Sequence, residues 1–136
     1  MKKGPLKVGQ WLYFDPLYRV NHALVICKPD QFFTRVGKIL PKAICQGLRR
    51  FLNDEPPHSL GCCIQQWYEH RQLVLIWLDV DCDVSVLAHE ALHAACYVLK
   101  NKGIKMGDKS EEAYTYYMEW VMDQGLRRCR PRKRTR

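Results

Sequence analysis

Apolar residues along the chain recur with two different spacings, which predict where strands and helices form. Continuous apolar runs at residues 22–28 and 73–79 are typical of buried strands. Residues 62–69 are also β-prone. The polar residues 70–72 separate them from the run at 73–79, which indicates a hairpin. Residues 53–61 are rich in polar residues and proline, which predicts a loop. The sequence before the first apolar run shows no clear period and is expected to be irregular.

Apolar residues three and four positions apart predict four helices. The first follows Asp30, which can cap it, and ends at Pro41. A second helix can begin there, because proline is tolerated in a first helical turn. The third follows Asp83 and ends near Gly103, and the last opens at Asp108.

Composition favours a single globular domain. Apolar residues make up 47% of a 136-residue chain, which is enough for one core and leaves no room for a separate substrate domain. We find no signal-peptide core and no membrane-spanning run, so we expect a cytoplasmic protein without a membrane partner. The seven cysteines contain no CxxC pair and are expected to stay reduced.

The net charge of +8 is concentrated at the C-terminus. Seven of the 22 Lys and Arg residues lie in the last ten positions, which leaves 15 to balance 14 Asp and Glu residues. We therefore predict a domain over residues 1–125 and a basic tail over 126–136. The tail is expected to be disordered and to bind polyanions weakly, because clustered charge raises affinity without specifying a partner.

The third predicted helix contains the sequence HEALH. His89 and His93 are four residues apart, which places their imidazoles about 40° apart on one side of a helix. Both rings can therefore bind one metal ion. Glu90 lies between them, where a carboxylate can take a proton from a zinc-activated water and pass it to a leaving amine. Imidazole and carboxylate ligands with an open fourth position favour Zn2+ as the cofactor.

The five letters of this motif also arise by chance on an amphipathic helix with two surface histidines. Here the motif lies in the middle of a helix, among small or apolar residues, and follows the most apolar strand of the chain. This context favours a metal site over two unrelated surface histidines.

A zinc site of this kind needs a third protein ligand. Cys96 would have to reach along the axis of the same helix. Glu111 stands three residues after Asp108, the spacing of a capping box, which gives it a structural role. Glu112 has no such role and is the predicted ligand, with Glu111 as the alternative. Tyr116, one turn later on the same face, is the candidate hydrogen-bond donor to an oxyanion, with core packing as the equal alternative.

The segment HEALHAACYVLKNKGI, followed by SEEAYTYYMEWV, resembles small phage-encoded HExxH metallopeptidase-like proteins, a minimal gluzincin form of the zincins. The resemblance covers residues 73 to about 122. It implies an α+β, zincin-like fold, with a small antiparallel sheet, an HExxH helix and a following helix that carries the third ligand. It also implies zinc ligation by His89, His93 and Glu112, with Glu90 as the catalytic base.

The function expected from these features is zinc-dependent hydrolysis of peptide bonds in a protein or peptide substrate, in the host cytoplasm if the protein is phage-encoded. The resemblance also implies that the strand before the metal helix, Leu73–Asp79, lies along the cleft and pairs with an extended peptide. One alternative is a non-catalytic zinc protein that binds a host or virion protein. Another is a nucleic-acid-associated adaptor that acts through the basic tail.

Overall fold

The computed structural model describes residues 5–130, which form one sheet of four strands and four α-helices. The fold is α+β, as predicted. The strands are β1 (Gly9–Asp15), β2 (Val20–Ile26), β3 (Gly61–Tyr68) and β4 (Arg71–Leu78). The helices are α1 (Phe32–Val36), α2 (Lys42–Phe51), α3 (Ser85–Asn101) and α4 (Glu111–Cys129).

The sheet is mixed, with the strand order β1-β2-β4-β3. The neighbours β1 and β2 are antiparallel, as are β3 and β4, but β2 and β4 run parallel with Ala23 opposite Leu75. The prediction of an antiparallel sheet is therefore wrong. Parallel strands need a long crossover connection, which residues 27–70 supply with α1, α2 and β3.

Strand β4 lies in the interior of the sheet. Its residues from Gln72 to Leu78 are all buried, and β2 and β3 pair with its two edges. Burial on both faces explains its continuous apolar run. The expectation that this strand borders an open cleft is wrong, because its backbone groups already have partners. On the side of the sheet next to α3, the strand with a free edge is β3.

The helices cover both faces of the sheet. Leu24 and Ile76 point towards a core that includes residues of α3 and α4, whereas Val25 and Leu75 point towards a second core that includes residues of α1 and α2. The alternation of side chains along each strand thus serves two cores at once. None of these helices combines the length and apolarity needed to cross a bilayer.

Strand β1 was missed by the sequence analysis, which expected this region to be irregular. Trp11 and Tyr13 pack towards α4, while Leu12 and Phe14 on the other face are 50% and 45% exposed. Because apolar residues occupy both faces, no alternation of polar and apolar residues marks the strand. Its position at the edge of the sheet explains how large apolar side chains can remain exposed.

The boundaries of the last two helices refine the predictions. The Asp83 carboxylate accepts a 2.8 Å hydrogen bond from the Ser85 amide at the start of α3, near the predicted cap. Helix α4 begins at Glu111 rather than at Asp108. Ser110 occupies the N-cap position without a side-chain capping bond, and its hydroxyl instead donates to the carbonyl of Lys105.

The predicted boundary between domain and tail is also corrected. Residues 126–129 belong to helix α4, and the Cys129 side chain is fully buried. The folded domain therefore extends at least to the end of this helix. The remainder of the predicted tail, from residue 131 onward, lies outside the described residues.

Candidate metal centre

His89 and His93 lie on the outer face of α3, opposite the buried residues Leu87 and Ala91. Their Nε2 atoms are 3.2 Å apart, and their rings are inclined at 72° with centroids 4.9 Å apart. The four-residue spacing predicted from the sequence thus brings both imidazoles to one point. Each ring directs a nitrogen towards that point from a different turn of the same helix.

This geometry fits a shared zinc ion. Two nitrogens bound to zinc at 2.0–2.1 Å in a tetrahedral arrangement are about 3.3 Å apart, close to the observed separation. At this distance one ring can donate an Nε2 proton to the other. A divalent cation can replace that proton and bind both lone pairs.

Glu90 lies on a different side of α3 from the two histidines and is only 5% exposed. Its side chain interacts electrostatically with Cys62 and Cys63 of β3. Burial raises the pKa of the Glu90 carboxyl, and the neighbouring His89 and His93 oppose this shift. The carboxylate therefore stands between the histidine pair and the edge strand of the sheet.

A third ligand does not join the pair in the structure. Within residues 5–130, no three His, Cys, Asp or Glu side chains assemble in a group that could hold a metal ion. Glu112 and Tyr116 are exposed residues of α4, and 64% of Tyr116 is accessible. The ligand role of Glu112 and the oxyanion role of Tyr116 stay predictions.

Contacts near both ends of α3 and α4 show how the two helices are aligned. A Cβ atom on Gly125 would lie only 2.7 Å from the Leu87 side chain, so the end of α4 packs closely on the start of α3. At the other end, the Tyr114 hydroxyl interacts electrostatically with Cys96 and donates a 2.6 Å hydrogen bond to the carbonyl of Ile104. The helices are therefore antiparallel.

This alignment sets the height of each exposed α4 carboxylate relative to the histidine pair, and it brings in Glu119, which the sequence analysis did not consider. In an antiparallel pair, each step forward on one helix is matched by a step back on the other. Glu119 is thus level with His93, whereas Glu112 is displaced by about 10 Å along the helix axis at 1.5 Å per residue. The spacing in the sequence could not reveal this, because residues 102–110 between the helices set the alignment.

A groove of about 330 Å3 lies along β3, between the strand and the loop that follows α2. Its lining includes Cys62, Cys63 and Ile64 of the strand and Pro57 and His58 of the loop. The two cysteines also interact electrostatically with the carboxyl of the HExxH motif. Within residues 5–130, the free strand edge beside α3 therefore has an adjoining space that an extended chain could enter.

The structure also contains a buried polar cluster that the sequence analysis missed. The Tyr117 hydroxyl donates a 2.9 Å hydrogen bond to the Asp15 carboxylate, so His22 Nε2, 2.8 Å away, must donate to the tyrosine oxygen. The other Asp15 oxygen accepts bonds from the amides of Leu17 and Tyr18. Burial lowers the pKa of His22 to about 4. These residues join β1 and β2 to α4, and their separation in the sequence leaves no local signal.

Comparisons of the chain with protein-family models, curated proteins and solved structures found no match. The likeness to the phage metallopeptidase type therefore depends on the sequence of residues 73 to about 122 alone, with the HExxH segment and the helix after it.

Proposed function

We propose that this protein is a zinc-dependent metallopeptidase of the zincin type, in which His89 and His93 hold the metal and a carboxylate of α4 completes the site. The 3.2 Å separation of the two Nε2 atoms carries the proposal, because it matches the spacing of two ligands around one zinc ion. The HExxH pattern supports hydrolysis as the reaction class, since it pairs a metal site with an adjacent carboxylate.

Zinc, when bound, would act as a Lewis acid towards the scissile carbonyl and the attacking water. Glu90 takes the proton of the attacking water and delivers it to the leaving amine. Its position between the histidine pair and β3 supports a scissile bond on that side of α3. An extended peptide substrate then adds to the free edge of β3, because both edges of β4 are already paired.

Zinc binding is tested by titrating zinc into metal-free full-length protein and into the variants His89→Ala and His93→Ala. We expect one zinc per wild-type chain and a loss of more than about 100-fold in affinity in either variant, because even the partners of a ligand contribute 10–100-fold. His58→Ala is the matched control, since His58 is exposed on a loop and pairs with Glu55 rather than with a second histidine. Equal zinc affinity in the wild type and the His89→Ala/His93→Ala double variant would remove the metal site.

The third ligand is identified by comparing Glu111→Gln, Glu112→Gln and Glu119→Gln in the same titration. The alignment of the helices predicts that the change at Glu119 weakens zinc binding most, whereas the sequence analysis predicts Glu112. All three residues are exposed on α4, so the variants are matched in their effect on the core. Unchanged affinity in all three would show that α4 supplies no ligand.

The exposure of the histidine pair favours a second candidate, a non-catalytic zinc protein that binds a host or virion protein. Leu92 beside the pair is 43% exposed, and an apolar side chain next to a surface metal suits a contact with a partner. Glu90→Gln separates the two functions. Both functions predict that the variant still binds zinc. Only the peptidase function predicts that the wild type cleaves a degenerate peptide pool and the variant does not. Undiminished cleavage by this variant would remove Glu90 as the base.

A further inference from the structure

A second site of different character lies at the C-terminal end of α4. The segment before β1 and the last turns of α4 enclose a pocket of about 460 Å3, a volume typical of ligand sites. Its lining residues are Lys7, Trp11, Gln124, Arg127, Arg128 and Arg130. Four of these six side chains are cationic.

The walls of this pocket are attached to the fold by backbone hydrogen bonds. The Lys7 amide donates a 2.8 Å bond to the carbonyl of Cys129 at the end of α4, and the Leu6 amide donates a 3.0 Å bond to the carbonyl of Val80. The Cys129 side chain is fully buried. The cations therefore come from two ends of the chain that the fold brings together.

Most of the positive charge in the pocket is not neutralised by the protein. Arg127 forms a 2.8 Å ion pair with Asp123. Arg128 is held by neutral groups, since its guanidinium lies 4.1 Å from the centre of the Tyr13 ring and donates two 2.9 Å bonds to Gln124. Among residues 5–130, no carboxylate pairs with Arg128, Lys7 or Arg130. The dipole of α4 favours arginines in its last turn, but it does not account for a lysine from the N-terminal segment.

The pocket also contains an aromatic surface. Trp11 is half-buried, and its ring covers Gly9 so closely that a Cβ atom there would lie 2.7 Å from the indole. The absence of a side chain at Gly9 thus leaves room for the ring beside the strand backbone. Aromatic side chains within cationic grooves are the usual means of binding single-stranded nucleic acid, since bases stack on the ring while phosphates pair with the cations.

We propose that this pocket binds single-stranded nucleic acid, with a base stacked on Trp11 and backbone phosphates paired with Lys7, Arg128 and Arg130. The site belongs to the folded domain and is independent of the metal centre, so the proposal does not depend on peptidase activity. The sequence analysis attributed polyanion binding to the tail alone, whereas this proposal attributes it to the pocket as well.

The charge of the site is tested with Lys7→Gln/Arg128→Gln/Arg130→Gln in the full chain, using anisotropy of labelled single-stranded DNA and RNA. We expect a loss of at least about 10-fold in affinity and a fall of about 2 in the slope of log K against log salt, at roughly 0.7 per phosphate contact. The matched control, Lys38→Gln/Lys42→Gln/Arg50→Gln, removes the same charge from exposed residues on the opposite face. Equal losses in the two variants would overturn the proposal.

The aromatic contact is tested separately with Trp11→Leu, which keeps an apolar side chain over Gly9. Stacking predicts a loss of about 10-fold for single strands and no loss for heparin, which carries charge but no bases. A difference between the DNA and RNA arms identifies the preferred strand. Equal loss for heparin, or tight Trp11-dependent binding to anionic vesicles, would contradict a nucleic-acid site.

The sequence beyond the pocket is also basic, so a chain ending at residue 130 separates the two contributions. The proposal expects this shortened chain to keep a single-strand affinity that Trp11→Leu still reduces. Complete loss of binding on removing residues 131–136, with no further effect of the pocket variants, would assign the affinity to the tail and overturn the proposal.

Discussion

His22 and the His89–His93 pair lie on the same side of the sheet but in opposite environments. His22 is buried beneath α4 and donates to Tyr117, which in turn donates to Asp15. The histidine pair lies on the outer face of α3, with its two nitrogens facing each other. The polar groups around His22 bond to one another within the protein, whereas the nitrogens of the histidine pair are accessible to a ligand.

The difference shows how burial separates a structural histidine from a candidate ligand. A polar group without a partner is costly in the interior, so the cluster around His22 supplies hydrogen bonds for the buried atoms. The ring also stacks on Tyr13 and meets the edge of Trp120, which leaves no approach for an ion. At the surface, water meets this requirement at little cost, and two imidazoles can face one point without a permanent partner.

The largest effect is expected where the buried cluster is opened. Tyr117→Phe removes the donor to the Asp15 carboxylate and the acceptor for His22, and we expect the free energy of unfolding to fall by about 3 kcal/mol. Tyr116→Phe is the matched control, because its ring is exposed, and it should change stability by less than about 0.5 kcal/mol. Urea unfolding measures both. Similar losses in the two variants would mean that the cluster is not structural.

Zinc bound at the histidine pair should raise the free energy of unfolding by a comparable amount. A free zinc concentration 100 times the dissociation constant raises the free energy of unfolding by about 2.7 kcal/mol if the unfolded chain does not bind zinc. Tyr117→Phe should keep this increment, since its cluster is separate from the histidine pair, whereas His93→Ala should lose it. Unfolding with zinc or with a chelator tests the difference, and an increment that survives in His93→Ala would place the metal elsewhere.

Acid should destabilise the protein through His22. The folded state holds the pKa of His22 at about 4, below the ordinary value of 6.5, so the unfolded chain binds a proton first as the pH falls. The stabilising contribution is present above pH 6.5 and is lost towards pH 4. Between pH 6.5 and 5 this residue should cost about 2 kcal/mol of stability, at 1.36 kcal/mol per pKa unit.

His22→Gln removes this titration, and His58→Gln serves as the control because His58 is exposed. Urea unfolding at several pH values should show a shallower dependence on pH in the first variant only. A wild-type slope in His22→Gln would mean that other groups account for the acid sensitivity.

The smallest expected effect concerns the contact that aligns α3 with α4. Gly125→Ala places a methyl group against Leu87, and the crowding of about 2 kcal/mol is partly offset by about 1 kcal/mol from the better helix propensity of alanine. We therefore expect a net loss of about 1 kcal/mol and a weakened zinc site. Gly107→Ala is the control, since no atom beyond its two chain neighbours lies within 4 Å of its added carbon. A stabilised Gly125→Ala variant would show that the helices are not aligned by this contact.

Much of the secondary structure was predictable because its signals are local. The β3–β4 hairpin, β2 and the helix that contains HEALH lie close to their predicted positions. Strand β1 was missed because Leu12 and Phe14 are as apolar as Trp11 and Tyr13 on its inner face. The tail boundary was placed too early because arginines that end α4 were read as part of a charged tail.

The sequence by itself determined that His89 and His93 share one side of a helix, since a four-residue step has the same geometry in every α-helix. Only the tertiary structure decided that β4 is interior, that Lys7 reaches the end of α4, that His22 is buried against Tyr117, and that Glu119 is level with His93. These features depend on contacts between residues far apart in the chain. Such contacts are set by core packing and by the lengths of the connections, which leave no periodic pattern in a single sequence.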